Sequence, residues 1–185
     1  MANTTALRNK RQIGGGKNVK KMKVTKACTI LHRSPEELYR FWRRLENLPQ
    51  FSQHIVSVTP RSDTVSHWVV KAPGSKNVEW DAEVFNEHPN ELIAWRSLDD
   101  SGVENAGTIR FEPAPGGRGT EVKVTLEYVP HVGKLGAFLA KLTGEEPEIQ
   151  VEDDLGRFKA LMEAGEIPTI DNQPVGKGQR KGKRK

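Results

Sequence analysis

The sequence contains very little cysteine and no long apolar run. Cys28 is the one cysteine in 185 residues, so no disulfide can form within the chain. The longest apolar stretches are far shorter than the roughly 20 residues that a membrane-spanning helix needs. Residues 1–16 are polar and lack the apolar run of a signal peptide. We therefore predict a soluble, cytoplasmic protein.

The sequence also lacks the residue spacings that mark metal and phosphate sites. Its five histidines show no HExxH or paired-cysteine spacing, so we predict no metal and no cofactor. The glycine-rich segments 14–17 and 115–120 lack the strand–loop–helix context of a phosphate-binding loop. No nucleophile, base and orienting group can be assembled from the sequence, so the catalytic residues, if there are any, stay unknown.

Acidic residues are missing from both ends of the chain. Residues 1–23 carry seven Lys/Arg and no acid, and residues 177–185 carry six and no acid. The segment between them has a net charge of −8. We predict disordered basic tails at 1–21 and 167–185, because such segments lack the apolar residues that offset the entropy of ordering. These tails are candidates for weak contact with RNA, the ribosome or an anionic membrane, or they serve only to keep the protein in solution.

The body of the chain begins with a strand and a short helix. Residues 22–31 alternate apolar and polar side chains, which predicts a β-strand. Ser34 then suits an N-cap, Pro35 the first helical position, and Glu37 the last position of a capping box. The apolar stripe that follows has the spacing of a buried helix face, and it consists of Leu38, Phe41, Trp42 and Leu45.

Between residues 54 and 129 the pattern changes to short strands separated by turns. Turn-forming residues cluster at 72–77, 88–90 and 113–120, where Gly116–Gly117 would form a hairpin tip. This spacing favours one antiparallel sheet over βαβ units. The predicted strands are 55–58, 64–71, 78–84, 92–97, 108–112 and 120–129.

The last part of the body has a helical pattern. Residues 133–142 predict a short helix that could close over a pocket as a lid. Residues 145–165 predict the longest helix, which begins with acidic residues and ends at Gly165. We expect its apolar stripe to pack on the concave face of the sheet and to leave an apolar pocket there. The stripe consists of Val151, Leu155, Phe158 and Met162.

Several segments, in this order, resemble one superfamily. SPEELYRFWRRLENLPQF, HWVVKAPGSKNVEWDAEV, ELIAWRSL, NAGTIRFEPAPGGRGTEVKVTLEYVP and DDLGRFKALMEAGE are similar to the START-like SRPBCC proteins, in the polyketide cyclase/dehydrase and coenzyme-Q-binding branch. The resemblance covers residues 22–166. It implies an α+β helix-grip fold, in which a curved antiparallel sheet of six to seven strands wraps around a long C-terminal helix, with short helices after the first strand. It also implies a cavity for a hydrophobic ligand, without a shared set of catalytic residues.

Three tryptophans are the first candidates for ligand contact. Trp68, Trp80 and Trp95 fall on strands that should be neighbours, so their rings would either line the pocket or form ordinary core. Arg96 and Arg110 interrupt apolar strands and could hold a ligand oxygen. Because successive side chains of a strand point to opposite faces, Arg96 faces outward if Trp95 faces inward.

The other candidates lie on the third strand, the last strand and the helices. His67 could act as an acid or base, or it could be a surface residue of its strand. Tyr128 could orient a ligand oxygen or belong to the core. Phe138 in the predicted lid, and Leu155 and Phe158 on the long helix, would supply apolar contacts.

Three functions stay open at this point. The one we favour is non-enzymatic binding of a hydrophobic small molecule, such as a quinone, a lipid, or an aromatic or polyketide-like compound. A cyclase or dehydratase that bends a flexible substrate is the second, and it requires a polar group inside the pocket. The third is salt-sensitive association with RNA, the ribosome or an anionic membrane through the basic tails. The sequence does not determine the oligomeric state.

Overall fold

A computed structural model describes residues 22–71, 77–98, 103–128 and 147–166. The predicted lid, including Phe138, and both basic tails lie outside the described residues.

Seven strands form a single antiparallel sheet, which is curled into a half-barrel. The strands are β1 (Met22–Leu31), β2 (Ile55–Pro60), β3 (Val65–Lys71), β4 (Asn77–His88), β5 (Leu92–Ser97), β6 (Asn105–Pro113) and β7 (Gly119–Tyr128). Their order in the sheet is β1-β7-β6-β5-β4-β3-β2. The predicted strands are confirmed, although β4 and β6 are longer than their sequence patterns indicate. β4 continues beyond Val84 because a bulge between Val84 and Asn86 lets it keep its pairing with β5.

The first helix begins as its capping signal predicts. Helix α1 covers Pro35–Arg43, and the backbone N–H of Glu37 donates to the Ser34 hydroxyl at 3.2 Å. A short 3-10 helix, Leu45–Gln50, follows directly. These two helices lie at one end of the concave face and bring apolar side chains to it.

The long helix, α2, covers Pro147–Ala164. It ends where Gly165 takes a φ of 79°, a left-handed conformation that glycine adopts without the steric cost of a Cβ. Leu155 and Phe158 are 3% and 0% exposed, which confirms that the predicted stripe packs into the core. Val151 and Met162 are partly buried against the same core.

Two hydrogen bonds hold the C-terminal end of α2 to the beginning of the domain. The backbone N–H of Leu31 donates to Glu163 Oε1 at 2.6 Å, and Arg33 Nε donates to the Met162 carbonyl at 2.6 Å. Burial raises the pKa of Glu163, but the Leu31 N–H and the Lys159 ammonium outweigh burial and leave that pKa below its ordinary value. The helix is therefore fixed across the opening of the half-barrel.

Candidate functional site

A cavity lies between the concave face of the sheet and the N-terminal half of α2. Its volume is about 190 Å³, which is smaller than the roughly 300–1,000 Å³ of pockets for drug-sized ligands. Tryptophan, leucine, phenylalanine, valine and isoleucine side chains form most of its lining. Such walls suit a compact apolar molecule, or one end of a larger one.

Three tryptophans form one wall of the cavity. The rings of Trp68 and Trp80 stack with centroids 5.9 Å apart, and those of Trp68 and Trp95 with centroids 6.4 Å apart, each pair inclined by 16°. The stack arises because β3, β4 and β5 are neighbours and Trp68 lies directly opposite Trp80. The Trp68 indole N–H donates to the Ser66 hydroxyl at 2.9 Å. The three predicted tryptophans thus come together at the cavity, and their contact with a ligand stays a prediction.

Gly107 makes room for this wall. It lies opposite Trp95 in the pairing of β5 with β6. A Cβ at position 107 would lie 2.2 Å from Cζ2 and 2.5 Å from Cε2 of the Trp95 ring. The glycine therefore lets a large ring lie flat over β6.

Of the two predicted ligand contacts on α2, one lines the cavity and the other belongs to the core beside it. Leu155 lines the cavity. Phe158 lies beside it, in an aromatic core where its ring centroid is 5.0 Å from those of Trp42 and Phe51 and 5.8 Å from that of Phe41. Phe158 therefore supports the cavity from behind and is not part of the described lining.

Arg96 and Arg110 do not point into the cavity, contrary to their selection as ligand contacts. Arg96 is exposed on the outer face, where it pairs with Glu83 at 2.7 Å and lies 5.1 Å from the Phe85 ring centroid. Arg110 is also exposed and lines a groove of about 430 Å³ on the outer face. Both orientations follow from strand alternation, because the residues adjacent to each arginine point inward.

His67 and Tyr128 also lie outside the described lining of the cavity. His67 lies on the outer face, with Nδ1 2.7 Å from Asp81 and Nε2 3.6 Å from Glu79. Tyr128 is buried at the end of β7, and burial is the main cause of its raised pKa, followed by the charge of Glu148. Tyr128 does not appear in the described lining of the cavity.

The sequence analysis did not select the polar residues of the cavity as candidate site residues. They are Ser52, His54, Asn105, Gln150 and Asp154. Gln150 and Asp154 are one helical turn apart, and each is adjacent in sequence to a residue of the apolar stripe. Asp154 also lies three residues after Val151, so helical spacing alone could have placed it on the buried face.

Asp154 is a partly buried carboxyl group at the cavity. It accepts a hydrogen bond from the Ser52 hydroxyl at 2.7 Å and one from Arg157 Nη1 at 3.0 Å. Burial raises the pKa of Asp154, and the Ser52 hydroxyl and the Arg157 guanidinium offset only part of that rise. The cavity thus contains one oriented carboxyl group whose proton is held more tightly than usual.

Four other polar atoms belong to residues that line the cavity, and each is itself buried without a hydrogen-bond partner among the described residues. They are Trp42 Nε1, Trp80 Nε1, Asn105 Oδ1 and Gln150 Nε2. All four residues line the cavity, although they come from α1, β4, β6 and α2.

The described residues offer neither a metal centre nor a membrane span. No three His, Cys, Asp or Glu side chains among them are placed to share a metal ion. None of the described helices combines the length and hydropathy needed to cross a bilayer.

Comparison with known proteins decides the family. A family model described as polyketide cyclase/dehydrase and lipid transport matches residues 31–155, which is more than half of the chain. The chain belongs to this family. Membership suggests that it binds a hydrophobic small molecule, and it names no specific ligand.

Two solved structures share the fold over most of the domain, and a third protein is similar in sequence. The crystal structure of DR_A0006 from Deinococcus radiodurans is 40% identical, with a TM-score of 0.64 over 78% of this chain and 98% of that one. TTHA0849 from Thermus thermophilus is 25% identical, with a TM-score of 0.56 over 79% of this chain and 99% of that one. An uncharacterized 17.2 kDa protein of Streptomyces lincolnensis is 29% identical over 130 residues, which are 68% of this chain and 79% of that protein.

Proposed function

We propose that this protein binds a compact hydrophobic molecule, of the quinone, lipid or aromatic and polyketide-like classes, in the cavity between the sheet and α2. The observation that carries the proposal is the wall formed by Trp68, Trp80 and Trp95. Stacked indole rings offer broad apolar faces that suit a planar ligand. Among the three classes, the wall therefore favours an aromatic or quinonoid ring over a flexible acyl chain.

Native mass spectrometry of the purified full-length protein, followed by organic extraction, tests the proposal directly. A co-purifying aromatic, quinone or lipid molecule is the expected result. Where the protein is isolated without a ligand, quenching of tryptophan fluorescence by added naphthalene measures whether the cavity accepts an aromatic ring.

A pair of variants on α2 locates the binding site. Val151 is partly buried and lines the cavity, so Val151→Phe should fill part of the 190 Å³ and weaken naphthalene binding at least tenfold. Ile149 is 46% exposed on the same helix, so Ile149→Phe should leave binding unchanged. Equal binding by both variants would place the ligand elsewhere.

An enzymatic role as a cyclase or dehydratase is a second candidate, and Asp154 supports it. A cavity carboxyl group with a raised pKa that is oriented by Ser52 suits proton transfer to or from a bound substrate. In that case Asp154→Asn would keep ligand binding and lose turnover of a polyketide-like substrate. Wild-type protein that binds such a substrate and returns it unchanged would support binding alone.

A further inference from the structure

The outer face of the sheet carries a groove that the proposed function does not use. Its volume is about 430 Å³, which lies within the roughly 300–1,000 Å³ of small-molecule sites. The floor of the groove consists of small residues on the neighbouring strands β6 and β7, namely Ala106, Gly107, Thr108 and Thr125. The tryptophan cavity lies on the opposite face of the sheet, so the two sites are separate.

Two cations, Arg110 and Lys123, lie side by side at this groove. They are directly opposite each other in the pairing of β6 with β7, and both are exposed. Like charges in such positions repel each other. Within the described ranges neither of them belongs to an ion pair, whereas Lys23 of the same lining pairs with Glu127 at 3.4 Å. This cation pair is therefore available to an anion from outside the chain.

The acidic residues near the groove do not cancel its positive charge. Glu127 is the acid of the described lining, and Lys23 already pairs with it. Glu112 and Glu121 face each other at the next outward position of the same strands, and neither belongs to the lining. Three cations against one acid give the lining a net charge of +2, in a body whose net charge is −8.

An exposed aromatic ring borders the same groove. Phe85 lies at the bulge of β4, is 52% exposed and belongs to the lining. An aromatic ring beside a cationic groove offers a face on which a nucleic-acid base can stack. The described lining contains no second large apolar side chain, so the groove lacks the broad apolar face with which amphipathic surfaces enter a membrane.

We propose that the outer groove binds single-stranded nucleic acid, with phosphate groups on Arg110 and Lys123 and a base stacked on Phe85. This site goes beyond the proposed function, because it takes a different class of ligand on the opposite face of the sheet. The hydroxyl groups of Thr108 and Thr125 on the floor suit contacts to sugar or phosphate oxygens.

The charge of the adjoining chain favours a polymer over a single nucleotide. Residues 1–21 carry six Lys/Arg and no acid, and they lead directly into β1, whose Lys23 lines the groove. A strand that extends beyond the groove can give further phosphates to these cations, and a mononucleotide cannot. The full-length protein is therefore the one to test, since two phosphate contacts alone give only weak binding.

A matched pair of double variants locates the site. Arg110→Gln with Lys123→Gln should weaken the binding of labelled poly(U) RNA at least about tenfold and make its salt dependence shallower by about 1.4, the slope of two phosphate contacts on a single strand. Arg61→Gln with Lys71→Gln removes the same charge from exposed residues near the other edge of the sheet. This control should change the affinity by less than about threefold, because salt screens distant charges.

A single variant tests the stacking. Phe85→Leu should weaken poly(U) binding by about fivefold or more, the usual effect of losing one stacked base. Heparin is a polyanion without bases, so its binding should be unchanged by Phe85→Leu and weakened by the loss of the cation pair. Thermal unfolding midpoints at or above that of wild type are expected for both double variants, because the substituted side chains are exposed and make no ion pair among the described residues.

Three results would overturn the inference. Equal losses of RNA affinity in the two double variants would mean that only the overall charge matters. Equal weakening of RNA and heparin binding by Phe85→Leu would exclude base stacking. Displacement of RNA by poly(glutamate) as effectively as by unlabelled RNA would point to an acidic protein segment as the partner. Naphthalene binding in the cavity should be the same in all these variants, so failure here leaves the proposed function in place.

Discussion

Gly107 occupies the middle of β6, where no larger residue fits beside the Trp95 ring. A Cβ there would lie 2.2 Å from that ring, and Trp95 stacks on Trp68, so the ring has little freedom to move away. We expect Gly107→Ala to lower the free energy of unfolding by about 1–3 kcal/mol, the usual cost of overpacking a core.

Gly156 provides the matched control for this substitution. A Cβ at Gly156 meets nothing within 4 Å, and the residue lies inside α2. Gly156→Ala should therefore stabilise the protein by about 0.5–1 kcal/mol, since alanine favours the helix. Urea unfolding of both variants measures the two changes, and a Gly107→Ala protein as stable as wild type would contradict the packing of the tryptophan wall.

Asp154 should make the stability depend on pH in an unusual direction. Its pKa in the folded protein is raised above the ordinary 3.8 because of burial, so the folded state binds the proton more tightly than the unfolded state. Ionisation of this group therefore lowers the free energy of unfolding as the pH rises from about 3.8 through the folded pKa. Below 3.8 the group is protonated in both states and the effect vanishes.

Comparison of Asp154→Asn with wild type isolates this effect. The variant has no proton to lose at position 154, so its stability relative to wild type should increase as the pH rises through that window. Urea unfolding at a series of pH values measures the difference. A difference that is constant with pH would mean that Asp154 has the same pKa in the folded and unfolded states.

Helix α2 combines two functions on one buried face. Its first half borders the cavity through Val151, Asp154 and Leu155, and its second half anchors the helix through Phe158. Because Phe158 is 0% exposed and packs against three aromatic rings, we expect Phe158→Ala to lower the free energy of unfolding by about 3–5 kcal/mol. The large cavity left behind is the physical reason.

Ile149→Ala is the control on the same helix. Ile149 is 46% exposed, so its truncation should change the free energy of unfolding by no more than about 0.5 kcal/mol. Chemical unfolding with intact secondary structure at zero denaturant is the measurement. A small effect of Phe158→Ala would contradict the place of α2 in the core.

Helical and strand periods predicted the elements well, but they did not identify Asp154 as a polar residue of the cavity. Side chains alternate along a strand, so Arg96 points outward because its neighbour Trp95 points inward. Arg110 on β6 points outward for the same reason. Asp154 is one of the acidic residues in the first turns of the predicted helix 145–165, a pattern that favours a helix N-terminus. Its spacing of three residues from Val151 places Asp154 at the edge of the buried face, and the contact with Ser52, far away in the sequence, shows that its side chain points to the cavity.

The distribution of charge divides the molecule into an acidic body and basic ends. Deletion of residues 1–21 and 177–185 removes six Lys/Arg from each end and no acid, so the formal net charge falls from +5 to −7. If the ends bind polyanions, the full-length protein should bind poly(U) RNA with an affinity that falls steeply with salt, and the truncated protein should not bind. Association with RNA, the ribosome or an anionic membrane stays a prediction until then.

Fluorescence anisotropy with labelled RNA at about 50 and 200 mM salt makes the comparison. The truncated protein should bind naphthalene as the full-length protein does, which controls for damage to the domain. Binding of RNA by the truncated protein with unchanged affinity would exclude the tails as the site. Anionic vesicles in place of RNA distinguish a lipid surface from a nucleic acid.

The sequence by itself determined the elements and their class of fold. The capping signal at Ser34, the alternating strands, the glycine turn at Gly116–Gly117 and the stripe on α2 are local patterns, and local backbone and burial preferences are sufficient to produce them. The outward orientation of Arg96 follows from strand alternation only once Trp95 is known to face inward, and the sequence alone leaves that open.

Only the tertiary structure decided which side chains share the cavity. Trp42, Trp80, Asn105 and Gln150 are on different elements, and nothing in their local sequence shows that their polar atoms lack partners. Pairing depends on the distance between groups that are remote along the chain. The polar part of the cavity lining therefore arises from the packing of α1 and α2 on the curled sheet.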